Sequence, residues 1–211
     1  MNERAALAVS YTKKGYKIVM LHGINEKGHC TCSQGAKCQS SGKHPIYTGW
    51  EAKASTCEAD IHKEFQKHPI ANIGFATGGD YFVLDIDNKH GGQDSLKPYA
   101  KLKETISVRT GSGGSHHYYK MPKGIKVPNK VAILPGVDIR SEGGLVVAPG
   151  SKHVSGGSYE WVQGYSPNEV EMTAADDWLI DIIKGSRKKK SIPNEVSKVI
   201  EEGSRLSLIH I

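Results

Sequence analysis

Two aspartates, Asp85 and Asp87, stand one residue apart where the apolar run YFVL ends. In a β-strand, residues i and i+2 point to the same face, so both carboxylates should lie together while Ile86 faces the core. Two carboxylates held close repel each other unless a cation lies between them. Oxygen ligands suit Mg²⁺ or Mn²⁺, the ions of two-metal phosphoryl-transfer sites. The pair therefore predicts a divalent-metal site, and a solvated strand end is the simpler alternative.

A second segment, PGVDIRSEGG, places Asp138 and Arg140 at the same i, i+2 spacing on another predicted strand. We predict that Asp138 supplies a third carboxylate to the same metals. The planar, forked guanidinium of Arg140 suits a phosphate group. The simpler alternative is that Arg140 only neutralises Asp138 or Glu142.

A glycine-rich turn, RTGSGGSHHYY, lies between the two acidic segments. Ser112, Gly113 and Gly114 are expected to let backbone amides approach a phosphate. Neighbouring residues of a strand face opposite ways, so only one of His116 and His117 can belong to the site. We predict that His116 is the one that contacts the ligand.

A cysteine-rich loop combines three thiols with an imidazole in the pattern Cys-x-Cys-x5-Cys-x5-His. Its residues are Cys30, Cys32, Cys38 and His44. Three thiolates and one imidazole are the usual composition of a closed structural Zn²⁺ site. The loop has almost nothing apolar to pack, so a metal would explain why it is ordered. A flexible loop with inert cysteines is the alternative.

The remaining cysteine and two nearby histidines have secondary places in this prediction. His22 and His29 are the fallback ligands for zinc. Cys57 is expected in the core, on a helix face shared with Ile61 and Phe65.

Helices and strands of mixed order must position these residues. Four helices are predicted. Two cover residues 3–14 and 93–103, one follows a capping box formed by Ser55 and Glu58, and the last begins at Thr173 and ends at Gly185. The predicted strands cover 16–22, 73–77, 81–87, 106–110, 116–121, 137–141, 145–148 and 159–163. Strands 73–77 and 81–87 are expected to be neighbours through a Gly-Gly turn. The many hairpin-like spacings predict an α+β fold.

Length and charge narrow the class of protein. The 211 residues suit one domain, and no apolar run approaches the length of a membrane span. No secretory signal is visible at the N-terminus, so we expect a cytoplasmic protein. The net charge is +6, but half of it lies after residue 185. A mildly basic body is compatible with local phosphate binding and unlike a histone-type binder.

Together these segments resemble the archaeo-eukaryotic primase superfamily, and in particular the bifunctional primase–polymerase (Prim-Pol) domain of plasmids, phages and integrated elements. Asp85 and Asp87 match the family's first motif, and the glycine turn with His116 matches its second. Asp138 matches its third, and Arg140 falls where a nucleotide-contacting arginine is common. The stretches GGLVVAPGSKH and SGKHP are also similar to the family, and the resemblance covers roughly residues 5–165.

The resemblance implies a primase–polymerase fold: an RRM-like sheet carries the catalytic acids and packs against a smaller αβ module, here with an inserted zinc knuckle. It implies a template-dependent nucleotidyltransferase (DNA primase and DNA polymerase) that acts in mobile-element replication. The implied partners are single-stranded DNA template, nucleoside triphosphates, and a helicase domain in the parent protein, with no membrane.

Two other function classes remain open. Converging carboxylates serve a metal-dependent nuclease equally well. A non-catalytic single-stranded nucleic-acid-binding module would need exposed aromatics on its sheet, and here the strand centres carry acids instead.

The chain divides by composition into three predicted parts. Residues 1–185 would form the catalytic domain, with the zinc-binding loop at about 28–45. Residues 186–202 read as a basic linker, and 203–211 as a vector-derived tail.

Overall fold

A computed structural model describes residues 2–185 of the chain, so the predicted linker and tail lie outside the described residues. Its helices are α1 (Glu3–Thr12), α2 (Glu58–Lys67), α3 (Gly92–Leu96) and α4 (Asp177–Ile183). Its strands are β1 (Ile18–Leu21), β2 (Asn72–Ala76), β3 (Tyr81–Ile86), β4 (Ser107–Arg109), β5 (Ser115–Lys120), β6 (Lys130–Leu134), β7 (Val137–Arg140), β8 (Leu145–Val147), β9 (Glu160–Trp161) and β10 (Thr173–Ala174).

The strands form two sheets. The larger has the order β6-β7-β3-β5-β4-β9, with β10 added in parallel along β5. All other pairings in it are antiparallel. The smaller sheet has the order β1-β2-β8, also antiparallel. The predicted α+β class is confirmed, since helices accompany antiparallel sheets.

The two faces of β3 bury different clusters. Tyr81 and Val83 pack on one face, in a core shared with α1, α2 and the smaller sheet. Phe82, Leu84 and Ile86 pack on the other, in a core closed by α3 and α4. Asp85 belongs by periodicity to the first face, which looks toward the smaller sheet.

The Gly78-Gly79 turn does not make a hairpin of β2 and β3, and this prediction was wrong. Between them the structure has a single bridge, Gly78 to Tyr81. Each strand finds its full set of partners elsewhere, so β2 lies in the smaller sheet and β3 at the centre of the larger one. Gly78, at φ +111, is tightly packed because an added Cβ would lie 2.3 Å from a carboxylate oxygen of Glu142.

Three local predictions also differ from the structure. The helix predicted over 93–103 ends at Leu96, because Pro98 follows and cannot continue it. Helix α2 begins later than the capping box implies, with Cys57 as its N-cap; Cys57 is exposed and does not join the core. The last helix begins at Asp177, since Thr173 and Ala174 pair with β5 instead.

The described helices are short. None of them in residues 2–185 combines the length and the apolar character that crossing a bilayer requires.

Candidate active site

Three of the predicted site residues form a row across the centre of the larger sheet. In the strand register, Asp85 of β3 is the direct partner of His116 on β5 and of Asp138 on β7. Directly opposite residues project from the same face. The His116 Nε2 atom lies 3.6 Å from Asp85 Oδ1. The sheet therefore brings together three separate segments of the chain, of which those of Asp85 and Asp138 are more than fifty positions apart in sequence.

Arg140 ties the two carboxylates of the row together. Its Nη2 donates to Asp138 Oδ2 at 2.7 Å, and its Nε lies 3.7 Å from Asp85 Oδ2. The Ala132 amide donates to the other oxygen of Asp138 at 2.7 Å. The simpler reading of Arg140 as a partner of Asp138 thus describes this contact, although the guanidinium also reaches Asp85.

Asp87 sits just beyond the end of β3 and is the most exposed of the three acids. Its Oδ1 accepts from the Lys89 amide, and its Oδ2 lies 2.8 Å from His90 Nδ1. Burial alone would raise the pKa of Asp87, but these hydrogen bonds and the charges of His90 and Lys43 outweigh it and hold the pKa below its usual value. Asp87 is therefore an ionised carboxylate at neutral pH.

The glycine turn before β5 packs its backbone against β3. An added Cβ on Gly114 would lie 2.2 Å from the carbonyl oxygen of Ile86, so only glycine fits there. The amides of Gly113 and Gly114 donate to the carbonyl and the hydroxyl of Thr110, respectively. These two amides are therefore not free to cradle a phosphate in this conformation, and Ser112 presents its hydroxyl beside that of Thr110.

The two neighbouring histidines have different surroundings. His116 is 4% exposed, and its Nδ1 has no hydrogen-bond partner within the described residues. Burial lowers the pKa of His116; Asp85 opposes this, while the charges of Arg140 and Lys43 add to it. His117 lies on the opposite face, where its two ring nitrogens contact the hydroxyls of Ser107 and Ser115 at 2.9 Å each.

A cleft of about 640 Å³ opens over the row. The predicted residues Asp85, Asp87, Asp138, Ser112, His116 and Arg140 all line it. So do Lys43 and His44 of the cysteine-rich loop, and His90. We did not predict Lys43 or His90 from the sequence; the placement of SGKHP among the family-like stretches was the available signal for Lys43.

The four residues predicted as zinc ligands also converge. The ligand atoms of Cys30, Cys32, Cys38 and His44 all lie within 4.8 Å of one another. His22 and His29, the fallback ligands, are not part of this group. Burial opposes ionisation of Cys32, but amides of Gln34 and Gly35 and the neighbouring thiols lower its pKa to about 7. Burial raises the pKa of Cys30, so the fit to zinc rests on the donor set itself, three thiols and one imidazole that converge.

A family model for the N-terminal domain of bifunctional DNA primase/polymerases matches residues 8–178. The chain belongs to this family. No curated protein matches the chain.

The range matched by the Prim-Pol family model includes every predicted site residue, from Cys30 to Arg140. Membership associates the domain with primase and polymerase chemistry of the nucleotidyltransferase type, and so with DNA and nucleotides. Enzymes of this type typically use divalent metals.

The acids of the Prim-Pol domain are a donor set compatible with such metals. Asp85 and Asp138 face each other, Asp87 is ionised, and all three line one cleft. Their oxygens do not converge as tightly as the cysteine cluster, which is the one group of three or more ligand side chains within 4.8 Å in residues 2–185. Arg140 lies against two of the acids and screens their repulsion.

Proposed function

We propose that this Prim-Pol domain is a template-dependent nucleotidyltransferase, a DNA primase and DNA polymerase of mobile-element replication. The observation that carries the proposal is the row of His116, Asp85 and Asp138 with Arg140, because it combines metal-binding carboxylates with cationic and hydrogen-bonding groups in one cleft. Hydrolysis needs the carboxylates alone, whereas nucleotidyl transfer also needs a grip on a triphosphate.

The three acids would hold the metals. Bound by Asp85, Asp87 and Asp138, two Mg²⁺ or Mn²⁺ ions would activate the attacking 3′ hydroxyl and neutralise charge on the transferring phosphoryl group. The supporting features are the ionised state of Asp87 and the shared face of Asp85 and Asp138.

Arg140 and His116 would bind the phosphates. Asp138 and Asp85 hold the guanidinium by Nη2 and Nε, and Nη1 has no hydrogen bond to any of residues 2–185. The buried, unpaired Nδ1 of His116 is a polar atom that a ligand would satisfy. Ser112 would contribute its hydroxyl, while Gly113 and Gly114 shape the turn that places it.

The cysteine cluster would hold one structural zinc ion through Cys30, Cys32, Cys38 and His44. Its role would be to order a loop that has little apolar surface of its own. The proposed partners are single-stranded DNA template and nucleoside triphosphates, and, as the family resemblance implies, a helicase domain in the parent protein.

One assay tests the proposal against its two alternatives. The protein is incubated with labelled nucleotides, a single-stranded template with and without a primer, and Mg²⁺ or Mn²⁺. We expect template-directed products. Degradation of the template without incorporation would identify a nuclease, and DNA binding without either reaction would identify a binding module.

A further inference from the structure

Lys43 connects the cysteine cluster to the catalytic cleft. It directly precedes His44, one of the four clustered ligand residues. Lys43 also lines the cleft together with Asp85 and Asp87. The loop therefore places a cation in the same cleft as the acids, although it precedes them by about forty residues in the sequence.

The backbone on both sides of Lys43 is held by the fold. The side chain of Asn72, which is 0% exposed, donates to the Gly42 carbonyl at 2.9 Å. The Lys43 amide donates to the Ser40 carbonyl at 3.0 Å, and the His44 carbonyl accepts from the His22 amide at 3.0 Å. Only the long side chain of Lys43 is left to move, so its ammonium group samples a restricted region at the mouth of the cleft.

The charge of Lys43 acts on the candidate active site and is not neutralised there by a salt bridge with any described residue. Lys43 lines the same cleft as His116, Asp87 and Arg140. Yet Lys43 is exposed and forms no salt bridge with any carboxylate of residues 2–185. An unpaired ammonium in a cleft with Arg140 raises the local concentration of anions and suits a phosphate as a point charge.

We propose that Lys43 binds the triphosphate of the incoming nucleotide, and that the zinc-ligand cluster, through His44, acts together with the backbone hydrogen bonds on both sides of Lys43 to hold it in place. The inference rests on the proposed nucleotidyl transfer, which supplies the ligand. It assigns the zinc knuckle a role in nucleotide binding rather than in holding the template. His44 then acts as a positioning residue through the metal, and Lys43 as the contact.

The first experiment measures binding of a fluorescent deoxynucleoside triphosphate without DNA, in Ca²⁺ so that no reaction consumes it. Lys43→Ala should weaken binding about tenfold, the equivalent of about 1.4 kcal/mol. Lys43→Arg, which keeps the charge, should restore most of the affinity. Lys37→Ala is the matched control, because Lys37 lies in the same loop, is exposed and does not line the cleft. It should bind as the wild type does.

The second experiment tests the link to the metal. Cys38→Ser should lose zinc, measured by elemental analysis, and bind the nucleotide as weakly as Lys43→Ala. Adding Lys43→Ala to Cys38→Ser should cost little more, because the two changes remove one interaction. If Cys38→Ser does not fold, judged by circular dichroism, chelation of zinc from the wild type replaces it.

The outcomes separate the two proposals. If the wild type binds no triphosphate, the proposed function fails and the inference fails with it. If the wild type binds but Lys43→Ala binds equally well, only the inference is overturned. Loss of affinity for single-stranded DNA, with nucleotide affinity intact, would assign Lys43 to the template and overturn it as well. Additive effects of Cys38→Ser and Lys43→Ala would reject the role of zinc.

Discussion

Asp85 and Asp138 face each other directly across β3 and β7, and the guanidinium of Arg140 contacts both carboxylates. This relationship gives Arg140 two roles. It screens the repulsion between the acids, and it is held in a fixed orientation at the site proposed for the phosphates. The acids and the arginine therefore form one unit, and a substitution of any one of them should alter the position or the electrostatic surroundings of the others.

Removing one acid of this unit should abolish nucleotide incorporation. Asp85→Asn and Asp138→Asn keep the shape of the side chain but lose its charge, so we expect at least about a 100-fold loss of primer-extension rate. Both acids are partly solvated, so the unfolding free energy should change by only about 1 kcal/mol.

Asp80→Asn is the matched control, because Asp80 is exposed at the turn just before the same strand. It should extend primers at the wild-type rate. Near-normal activity of Asp138→Asn would remove Asp138 from the set of three acids.

Nucleotide affinity should depend on His116 and not on His117. His116→Asn removes a ring that lines the cleft, and we expect about a tenfold loss of affinity, the worth of one hydrogen bond. His117→Asn changes the opposite face of β5 and should leave nucleotide binding unchanged. Equal losses in the two variants, measured by nucleotide titration, would contradict the assignment.

The purified protein should contain one zinc ion per chain. Cys30→Ser and Cys38→Ser should each lose it, because a tetrahedral site with one thiolate missing binds zinc far more weakly. Cys57→Ser is the matched control, since Cys57 is exposed and outside the cluster. Elemental analysis that finds no zinc in the wild type, or full zinc in Cys38→Ser, would refute the site.

Acid should destabilise the fold partly through His117. Burial, with a smaller contribution from His116, lowers the pKa of His117 to about 4. An unfolded histidine titrates near pH 6.5, so between these values the unfolded chain binds more protons. The stabilisation is therefore complete above about pH 6.5 and is lost as the pH falls toward 4, with a slope of at most about 1.4 kcal/mol per pH unit.

Urea unfolding between these two pH values measures that slope. His117→Asn, which keeps a polar side chain but cannot be protonated, should make the slope shallower. His116 acts with the same sign, because its pKa is also lowered. An unchanged slope in His117→Asn would show that another group carries the acid sensitivity.

The sequence alone determined what depends on neighbours along the chain. Because side chains alternate along a strand, the side chain of Asp85 points to the opposite face of the sheet from the buried Ile86. The spacing of thiols and imidazole identified the cluster that includes Cys30 and His44. The family motifs identified the class of protein, as the match over residues 8–178 confirms.

Tertiary structure decided what depends on pairing between distant segments. No local pattern predicts that Asp138 pairs directly with Asp85. Nor does any predict that β2 and β3 lie in different sheets, or that Lys43 lines the cleft. These placements follow from which strand edges find complementary hydrogen-bonding partners and which faces must be buried together. Both conditions involve the whole chain at once, whereas helix and strand periodicity involve only a few adjacent residues.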